Sequence, residues 1–291
     1  MDRIGGRRVD EGIPFVKVQG LGNDYLYLDG VSHQLPADLP GVAIAMSDRH
    51  FGVGSDGIIT IEPSQVADLR MRIWNADGSE AEMCGNGVRG FAKLAYERGY
   101  VRGTVFSVET AAGIVRPEVV VQDGAVGRVR VDMGVPRLRR GEIPMLGPSD
   151  EEAIEYPVEV SDQCLTLTAV SMGNPHAVIF VRDVASVPVQ TIGLALEHDP
   201  LFPRRVNVEF VQVMAEDALR MRVWERGSGE TLACGTGAAA ALVASSRTAR
   251  TGRRALVHLE GGDLEIEWAS DDHVWMTGPT VQVFSGVYAP R

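Results

Sequence analysis

The chain repeats itself at an offset of 150 residues, and this repeat constrains the fold more than any other feature. Leu69-Arg-Met-Arg-Ile-Trp74 recurs as Leu219-Arg-Met-Arg-Val-Trp224, and nine of the nineteen positions from 69 to 87 are identical to their counterparts. The match includes Cys84 and Cys234, which are two of only three cysteines. A period of this length is far too long for a solenoid, so it indicates two copies of one domain.

The boundary between the copies is predicted in a stretch that is rich in proline and glycine, from about 130 to 150. We predict an N-terminal domain over 13–131, completed by the C-terminal strand at about 277–291, and a second domain over 132–276. Residues 1–12 are predicted to be a flexible extension. Gly22-Asn23 also pairs with Gly173-Asn174, at an offset of 151.

Each copy has the same local pattern, in which a strand with one buried face is followed by a polar turn, a cysteine and a helix. The first helix is predicted over about 86–98 with Gly99 as its C-cap. The second starts at about Thr236 and is nearly all apolar, so it should be buried in its domain. Short β-rich runs dominate elsewhere: 105–109, 126–133, 165–170, 177–181, 208–213 and 264–268.

These patterns predict an α+β fold with two pseudo-symmetric domains. Each domain is expected to be a curved, mostly antiparallel, barrel-like sheet wrapped round a central helix. The active site is predicted to lie in the cleft between the two domains.

Composition excludes several classes of function. A net charge of −11 argues against a nucleic-acid footprint, and the chain contains no apolar run of 18 residues that would cross a membrane. Its N-terminus has no signal-peptide core, and three cysteines fit a reducing compartment, so we expect a cytoplasmic protein. Cysteine and histidine spacings predict no metal site. Neither of the two lysines, Lys17 and Lys93, is an obvious Schiff-base residue for pyridoxal phosphate.

The repeated cysteines have the right setting for acid–base chemistry. A cysteine at a helix N-terminus lies in the positive end of the dipole, which favours its thiolate. The glycines of Cys84-Gly-Asn-Gly87 and Cys234-Gly-Thr-Gly237 let a ligand approach the backbone. The same backbone N–H groups suit a carboxylate. Two such motifs face to face would hold an α-carbon between two sulfurs, so that one thiolate removes a proton and the opposite thiol supplies one.

Two further sequence features are not expected to belong to the active site. Cys164 is interpreted as a small buried core residue. The GxGxxG string within Phe51–Gly57 follows a predicted helix (42–49) and precedes a predicted strand (58–61), which is the wrong order for a dinucleotide site.

The motifs together resemble those of the diaminopimelate epimerase family, in the family's order from about residue 13 to 288. They are Gly20-Leu-Gly-Asn-Asp24, Phe51-Gly-Val-Gly54, Asn75-Ala-Asp-Gly-Ser-Glu80, Met83-Cys-Gly-Asn-Gly87, Ser171-Met-Gly-Asn-Pro-His176, Glu225-Arg-Gly-Ser-Gly-Glu230 and Ala233-Cys-Gly-Thr-Gly237. Proline racemases typically carry His where this chain has Asn86. The phenazine-biosynthesis isomerases lack the cysteine pair. One departure is Gly57, where some members of the family carry Gln.

The resemblance implies cofactor-independent interconversion of L,L- and meso-diaminopimelate, in lysine and peptidoglycan-precursor synthesis, by a homodimer. It implies that Cys84 and Cys234 are the acid–base pair, with His176 and Glu225 beside the thiols. Glu225 would bind the reacting α-amino group, and the backbone N–H groups of Gly85, Asn86, Gly235 and Thr236 would hold the α-carboxylate. The distal end of the substrate would be held by Asn23, Asn75, Asn174, Asn207 and Arg226.

Alternatives remain open at this point. The three asparagines Asn23, Asn75 and Asn174 would also suit turns, His176 a buried core position, and Arg226 a solvated surface. Glu80 and Glu230 are expected to be structural, paired with their own helix starts. The substrate could be another amino acid, and a protein that only binds amino acids or senses redox state through a disulfide would carry the same cysteines.

Overall fold

The computed structural model describes residues 12–161 and 163–290. The predicted extension 1–12 therefore lies outside the described residues except for Gly12. The described chain divides into two compact units. Unit 1 comprises 12–20, 24–116 and 280–290, and unit 2 comprises 21–23 and 117–279.

The first part of the chain forms seven strands and two α-helices. In chain order these are β1 (Ile13–Gly20), β2 (Asn23–Asp29), α1 (Leu39–Ser47), β3 (Gly57–Glu62), β4 (Leu69–Asn75), β5 (Glu80–Ala81), α2 (Gly85–Glu97), β6 (Val108–Thr110) and β7 (Gly113–Val115).

The rest of the chain contains the remaining elements. They are β8 (Glu118–Gln122), β9 (Ala125–Asp132), β10 (Tyr156–Val160), β11 (Gln163–Ser171), β12 (Pro175–Phe180), α3 (Val189–Glu197), β13 (Asn207–Ala215), β14 (Ala218–Glu225), β15 (Gly229–Thr231), α4 (Gly235–Arg247), β16 (Arg254–Leu259), β17 (Gly262–Trp268), β18 (Val274–Pro279) and β19 (Val281–Tyr288). Short 3-10 turns at Arg140–Glu142 and Val184–Ser186 complete the described elements.

The two units share one strand order over seven positions, and the sheet of unit 2 continues with three more strands. Unit 1 has the strand order β19-β1-β2-β3-β4-β6-β7, and unit 2 has the order β10-β11-β12-β13-β14-β16-β17-β18-β9-β8. In unit 1 the β2–β3 and β4–β6 pairs are parallel, and in unit 2 the corresponding β12–β13 and β14–β16 pairs are parallel. The other described pairs are antiparallel. The predicted two-domain α+β fold is confirmed.

Each sheet packs against the helix that follows its cysteine. All residues of α4 from Gly237 to Ser245 are buried, and the helix contacts β11, β12, β13, β14, β16, β17 and β18. Its small side chains allow strands to approach it on every side, as its composition predicted. In α2 the apolar residues Val88, Phe91, Leu94 and Ala95 are buried, while Glu97 is exposed.

A second helix in each unit packs on another part of the sheet. Helix α1 packs on β3 and β4, and its buried residues Leu39, Ala43 and Met46 join a core cluster with Trp74. Helix α3 takes the same place against β13 and β14. Local sequence patterns predict α1 but not α3, because Val189–Glu197 carries no side-chain N-cap and few polar residues.

The division between the units falls after Arg116 rather than at the predicted 131. Strands β8 and β9 pair with each other, and β9 pairs with β18 in the sheet of unit 2. Strand β19 in turn pairs with β1 in unit 1. Backbone pairing therefore moves β8 and β9 out of the copy in which the repeat had placed them. Among the described helices, none is long and apolar enough to span a membrane.

Candidate active site

Cys84 is the N-cap residue of α2. Its backbone is extended (φ −142°, ψ 115°), and its sulfur accepts a hydrogen bond from the Gly87 N–H at 3.3 Å. An N-cap side chain satisfies an N–H group of the first turn that has no partner within the helix. The predicted position of this thiol at a helix start is confirmed.

The surroundings of Cys84 supply hydrogen-bond donors and a cation. Burial raises the pKa of Cys84, while the Gly87 N–H, the Tyr25 hydroxyl and the Arg89 guanidinium act in the opposite direction. Arg89 is fully buried, and this burial lowers its pKa to about 10. The hydroxyl of Tyr27 donates to the Gly87 carbonyl at 2.8 Å and so helps to hold the first turn of the helix.

Cys234 has the same backbone position in unit 2. It is the N-cap of α4, with φ −128° and ψ 113°, and its sulfur accepts from the Gly237 N–H at 3.4 Å. The Thr236 hydroxyl lies 3.5 Å from the same sulfur. Burial raises the pKa of Cys234 well above its usual range, and the carboxylates of Glu225 and Glu209 raise it further.

A continuous chain of hydrogen bonds runs from a buried carboxylate to the Cys234 thiol. Glu209 Oε1 lies 2.6 Å from His176 Nδ1, and His176 Nε2 lies 2.9 Å from Asn174 Oδ1. Asn174 Nδ2 lies 3.3 Å from Thr236 Oγ1, which is the hydroxyl that contacts the sulfur. These contacts link Glu209 to the Cys234 sulfur through the side chains of His176, Asn174 and Thr236.

Glu225 lies at the end of β14, beside the same thiol. Its Oε1 accepts a hydrogen bond from the Thr231 hydroxyl, and its carboxylate also accepts from the Cys234 thiol. Burial raises the pKa of Glu225, and these two hydrogen bonds oppose the increase. A carboxylate in this position could bind an ammonium group next to the sulfur.

The other residues predicted for unit 2 lie around this group. Asn207 pairs with His176 across the β12–β13 ladder, and its amide donates to the Pro175 carbonyl at 2.8 Å. The Asn207 Oδ1 accepts from the backbone N–H of Arg226 at 2.9 Å. The Arg226 side chain is exposed and donates to the Arg204 carbonyl at 3.0 Å. These bonds order the turn that carries Glu225 and Arg226.

Asn23 belongs to a turn that is counted with unit 2. Within that turn, Gly22 has φ +90°, and a Cβ added to it would lie 2.8 Å from the side chain of Leu232. Leu232 is two residues before Cys234, so the turn is packed beside the second cysteine motif. Gly235 and Thr236 open the helix there.

In unit 1, Asn75, Gly85 and Asn86 lie near Cys84 in the chain. Asn75 ends β4, and its amide donates to Ser79 Oγ at 3.0 Å. Gly85 is the first residue of α2, and the Asn86 Oδ1 is a buried acceptor. The predicted residues therefore form two groups, one in each unit.

The structure adds three functional candidates that the sequence motifs did not predict: Tyr25, Arg89 and Glu209. Glu209 interrupts the apolar run of β13, and Arg89 lies among the apolar residues of α2. A charge within a buried pattern is a signal of function that could have identified both residues. Tyr25 has no such signal, since a tyrosine in a buried strand is common.

The third cysteine and the two glutamates that precede the cysteine motifs lie at the protein surface in contacts that differ from those predicted. The interpretation of Cys164 as a core residue was wrong, because it is exposed on β11 opposite Glu159. Glu80 and Glu230 are structural, but their partners are Arg72 and Arg222, with a Glu80 contact at 2.8 Å and a Glu230 contact at 2.7 Å, rather than the helix starts.

Gly57 cannot be replaced by a larger residue without a change of the backbone. A Cβ at this position would lie 2.2 Å from the Trp74 carbonyl oxygen. A Gln at this position would have no place in this strand geometry. Among the described residues, no group of three or more His, Cys, Asp or Glu side chains is arranged to hold a metal ion.

Comparison with known proteins gives consistent results. The sequence profile of a family described as diaminopimelate epimerase matches residues 15–139 and 168–283. The diaminopimelate epimerase of Moorella thermoacetica is 54% identical over 273 residues, covering 94% of this chain and 98% of that protein. The diaminopimelate epimerase of Pelotomaculum thermopropionicum is 55% identical over 278 residues, covering 95% and 99%.

Solved structures share the fold at low sequence identity. A phenazine biosynthesis protein of the PhzF family from Bacillus anthracis has a TM-score of 0.68 at 16% identity, covering 95% of this chain and 98% of that one. A probable proline racemase from Agrobacterium radiobacter has a TM-score of 0.66 at 16% identity, covering 96% and 93%. At this identity the similarity concerns the fold.

Proposed function

This chain belongs to the diaminopimelate epimerase family and is an amino-acid isomerase of that class, and we propose that it inverts an α-carbon of diaminopimelate with Cys84 and Cys234 as its two acid–base groups. The reaction interconverts L,L- and meso-diaminopimelate and serves lysine biosynthesis. The observation that carries the mechanism is the repeated N-cap cysteine, present once in each unit with a first-turn N–H bonded to its sulfur.

In the proposed mechanism, one sulfur acts as a thiolate and the other as a thiol. The thiolate removes the α-proton from one face of the carbon, and the thiol donates a proton to the opposite face. The carbon is inverted, and the two sulfurs exchange protonation states. Because proton transfer runs entirely between side chains and substrate, the proposal needs no cofactor and no metal.

The binding roles follow the same reasoning. The N–H groups at Gly85, Asn86, Gly235 and Thr236 would hold the α-carboxylate at the positive ends of α2 and α4. There they would also stabilise charge pushed onto the carboxylate in the transition state. Glu225 would bind the α-amino group. Asn23, Asn75, Asn174, Asn207 and Arg226 are proposed to bind the distal end, where a guanidinium suits a carboxylate.

We also propose that the protein forms a homodimer. Strand β19 is the edge of its sheet in the described order, and Val281, Val283, Phe284 and Val287 on it are exposed. Exposed apolar side chains on a free edge favour pairing with a second copy. A cytoplasmic location is supported by three free cysteines, which suit a reducing compartment. The proposed binding partner is a small-molecule amino-acid substrate, not a nucleic acid or a membrane.

Isotope exchange tests the function directly. The reduced protein in heavy water should place deuterium on the α-carbon of L,L-diaminopimelate and yield the meso isomer. A panel of other amino acids serves as the comparison. Deuterium exchange into another amino acid, with none into diaminopimelate, would show that the substrate is that other amino acid. Absence of exchange into every amino acid tested would refute the epimerase function.

A further inference from the structure

Glu209 in unit 2 occupies the place of Ile59 in unit 1. The two residues are 150 positions apart, on β13 and β3. Each lies against the equivalent glycine of the first helical turn, with Ile59 Cδ1 at 2.7 Å from a Cβ built on Gly87 and Glu209 Oε1 at 2.8 Å from a Cβ built on Gly237. A methyl group in one unit is thus replaced by a carboxylate in the other, at the turn that binds the sulfur.

The carboxylate of Glu209 is held away from water. Glu209 and its partner His176 are both fully buried. In the described structure, Glu209 Oε2 accepts no hydrogen bond, so the charge is not shared with a second partner. The first turn of α4 is close to it, since Cys234 Sγ lies 3.3 Å from the same built Cβ on Gly237. A charge in such a dry place acts strongly on a neighbouring ionisable sulfur.

The charges that face the two sulfurs are opposite in sign. Cys234 faces the acids Glu225 and Glu209, with the imidazole of His176 between Glu209 and Asn174. Cys84 faces the guanidinium of Arg89 and the hydroxyl of Tyr25.

Two further groups act on the Cys84 side. The Tyr27 hydroxyl donates to the Gly87 carbonyl in the first turn of α2. Burial raises the pKa of Tyr25, and the Asp56 carboxylate also raises it. The position equivalent to Arg89 in unit 2 is Ala239, which carries no charge.

We propose that Glu209 is a positioning residue that keeps the proton on Cys234 in the free protein, so that Cys84 is the first of the two thiols to ionise. The carboxylate opposes a second negative charge at the first turn of α4. It also orients His176, Asn174 and Thr236 towards the sulfur. In unit 1 the same place is filled by the uncharged Ile59, and the Arg89 guanidinium favours ionisation of Cys84. The catalytic meaning of this order depends on the proposed two-thiol mechanism, but the order itself does not.

The pH dependence of alkylation tests the proposal. The reduced protein without substrate is treated with iodoacetamide from pH 5 to 10, and the peptides of Cys84, Cys164 and Cys234 are quantified separately by mass spectrometry. The midpoint of each profile reports ionisation, while burial affects only the absolute rate. Exposed Cys164 is an internal reference in every sample. We expect Cys84 to titrate at lower pH than Cys234.

Substitution of Glu209 sharpens the test. Glu209→Gln keeps the size of the side chain and removes its charge, so the Cys234 midpoint should fall by about one pH unit or more while that of Cys84 stays unchanged. Glu209→Asp keeps a carboxylate in the same place, so the Cys234 midpoint should stay high. Asp29→Asn in unit 1 is the matched control, since it neutralises another largely buried carboxylate, which pairs with Arg98 at 2.7 Å. It should leave both midpoints unchanged.

Each outcome decides the proposal. Titration of Cys234 before Cys84 in the unaltered protein would overturn it, even if Glu209→Gln does not fold. An equal shift of both thiols in Glu209→Gln would show a general structural effect and would also overturn it. Failure of the proposed function is distinguished by isotope exchange. If Cys84 titrates before Cys234 but no α-proton is exchanged, the proposed role of Glu209 is supported and the proposed epimerase function is refuted.

Discussion

Tyr25 and His176 occupy equivalent positions in the two units. Tyr25 pairs with Gly57 across the β2–β3 ladder, and His176 pairs with Asn207 across the β12–β13 ladder. The Tyr25 hydroxyl donates to the Cys84 sulfur, whereas His176 reaches Cys234 through two further side chains. Both units therefore have an aromatic or imidazole ring at this position. The ring bonds directly to the sulfur in unit 1 and is linked to it through other side chains in unit 2.

Arg89 should control the ionisation of Cys84. The substitution Arg89→Met removes the buried cation that favours the Cys84 thiolate. The midpoint of Cys84 alkylation should therefore rise by about one pH unit or more. Peptide mapping after iodoacetamide treatment measures the change. Lys93→Met removes a cation from the same helix that pairs with Glu97 at 2.7 Å and serves as the control. An unchanged Cys84 midpoint in Arg89→Met would refute this role.

The three cysteines should differ sharply in function. Cys84→Ser and Cys234→Ser should each lower kcat by about 10²–10⁴-fold, because a hydroxyl is a much poorer acid–base group at neutral pH. Cys164→Ser, on the exposed β10–β11 hairpin, should retain nearly full activity. Turnover of L,L-diaminopimelate measures all three variants. Equal losses in the three would indicate a structural cause.

The C-terminal ends of α2 and α4 offer a reciprocal test of stability. Gly99 and Ala249 occupy the same position after their helices, with φ +73° and +54°, and their N–H groups bond at 3.0 Å to Tyr96 O and at 3.2 Å to Ser246 O. Alanine in this left-handed conformation costs roughly 1 kcal/mol. Ala249→Gly should therefore stabilise the protein by about 0.5–1 kcal/mol, and Gly99→Ala should destabilise it by about as much.

Urea unfolding of both variants measures the difference. The opposite signs are the essential part of the prediction. Destabilisation by Ala249→Gly would show that the left-handed position is not strained in the native protein.

His273 should stabilise unit 2 at low pH. It bonds to Asp132 at 2.8 Å, and this carboxylate raises the pKa of the imidazole above its ordinary value of 6.5. The contribution is fully present below pH 6.5 and is lost as the pH rises through the elevated pKa of the folded state. His273→Gln should lower Tm more at pH 5.5 than at pH 9. An equal change at both pH values would exclude the ion pair as the cause.

Local signals predicted much of the fold. The strand at 69–74, the helix after each cysteine and the glycine at position 99 follow from periodicity and from backbone preferences, and the structure confirms all three. Helix α3 was not predicted, because the residues at its ends carry weak helix-boundary signals. The pairing of β8 and β9 with the sheet of unit 2 was also not predicted, since the choice of strand partner depends on contacts between distant segments of the chain.

The sequence by itself determined that the chain is a duplicated domain and that two of its cysteines cap helices. A repeated motif and a helix start are both local properties of the chain. Only the tertiary structure decided which groups surround each thiol. Arg89, Tyr25 and Glu209 lie beside the sulfurs or their helix turns because strands and helices pack together. Electrostatic effects act through space in a dry interior, so the opposite charges around two nearly identical motifs depend on packing rather than on the motifs themselves.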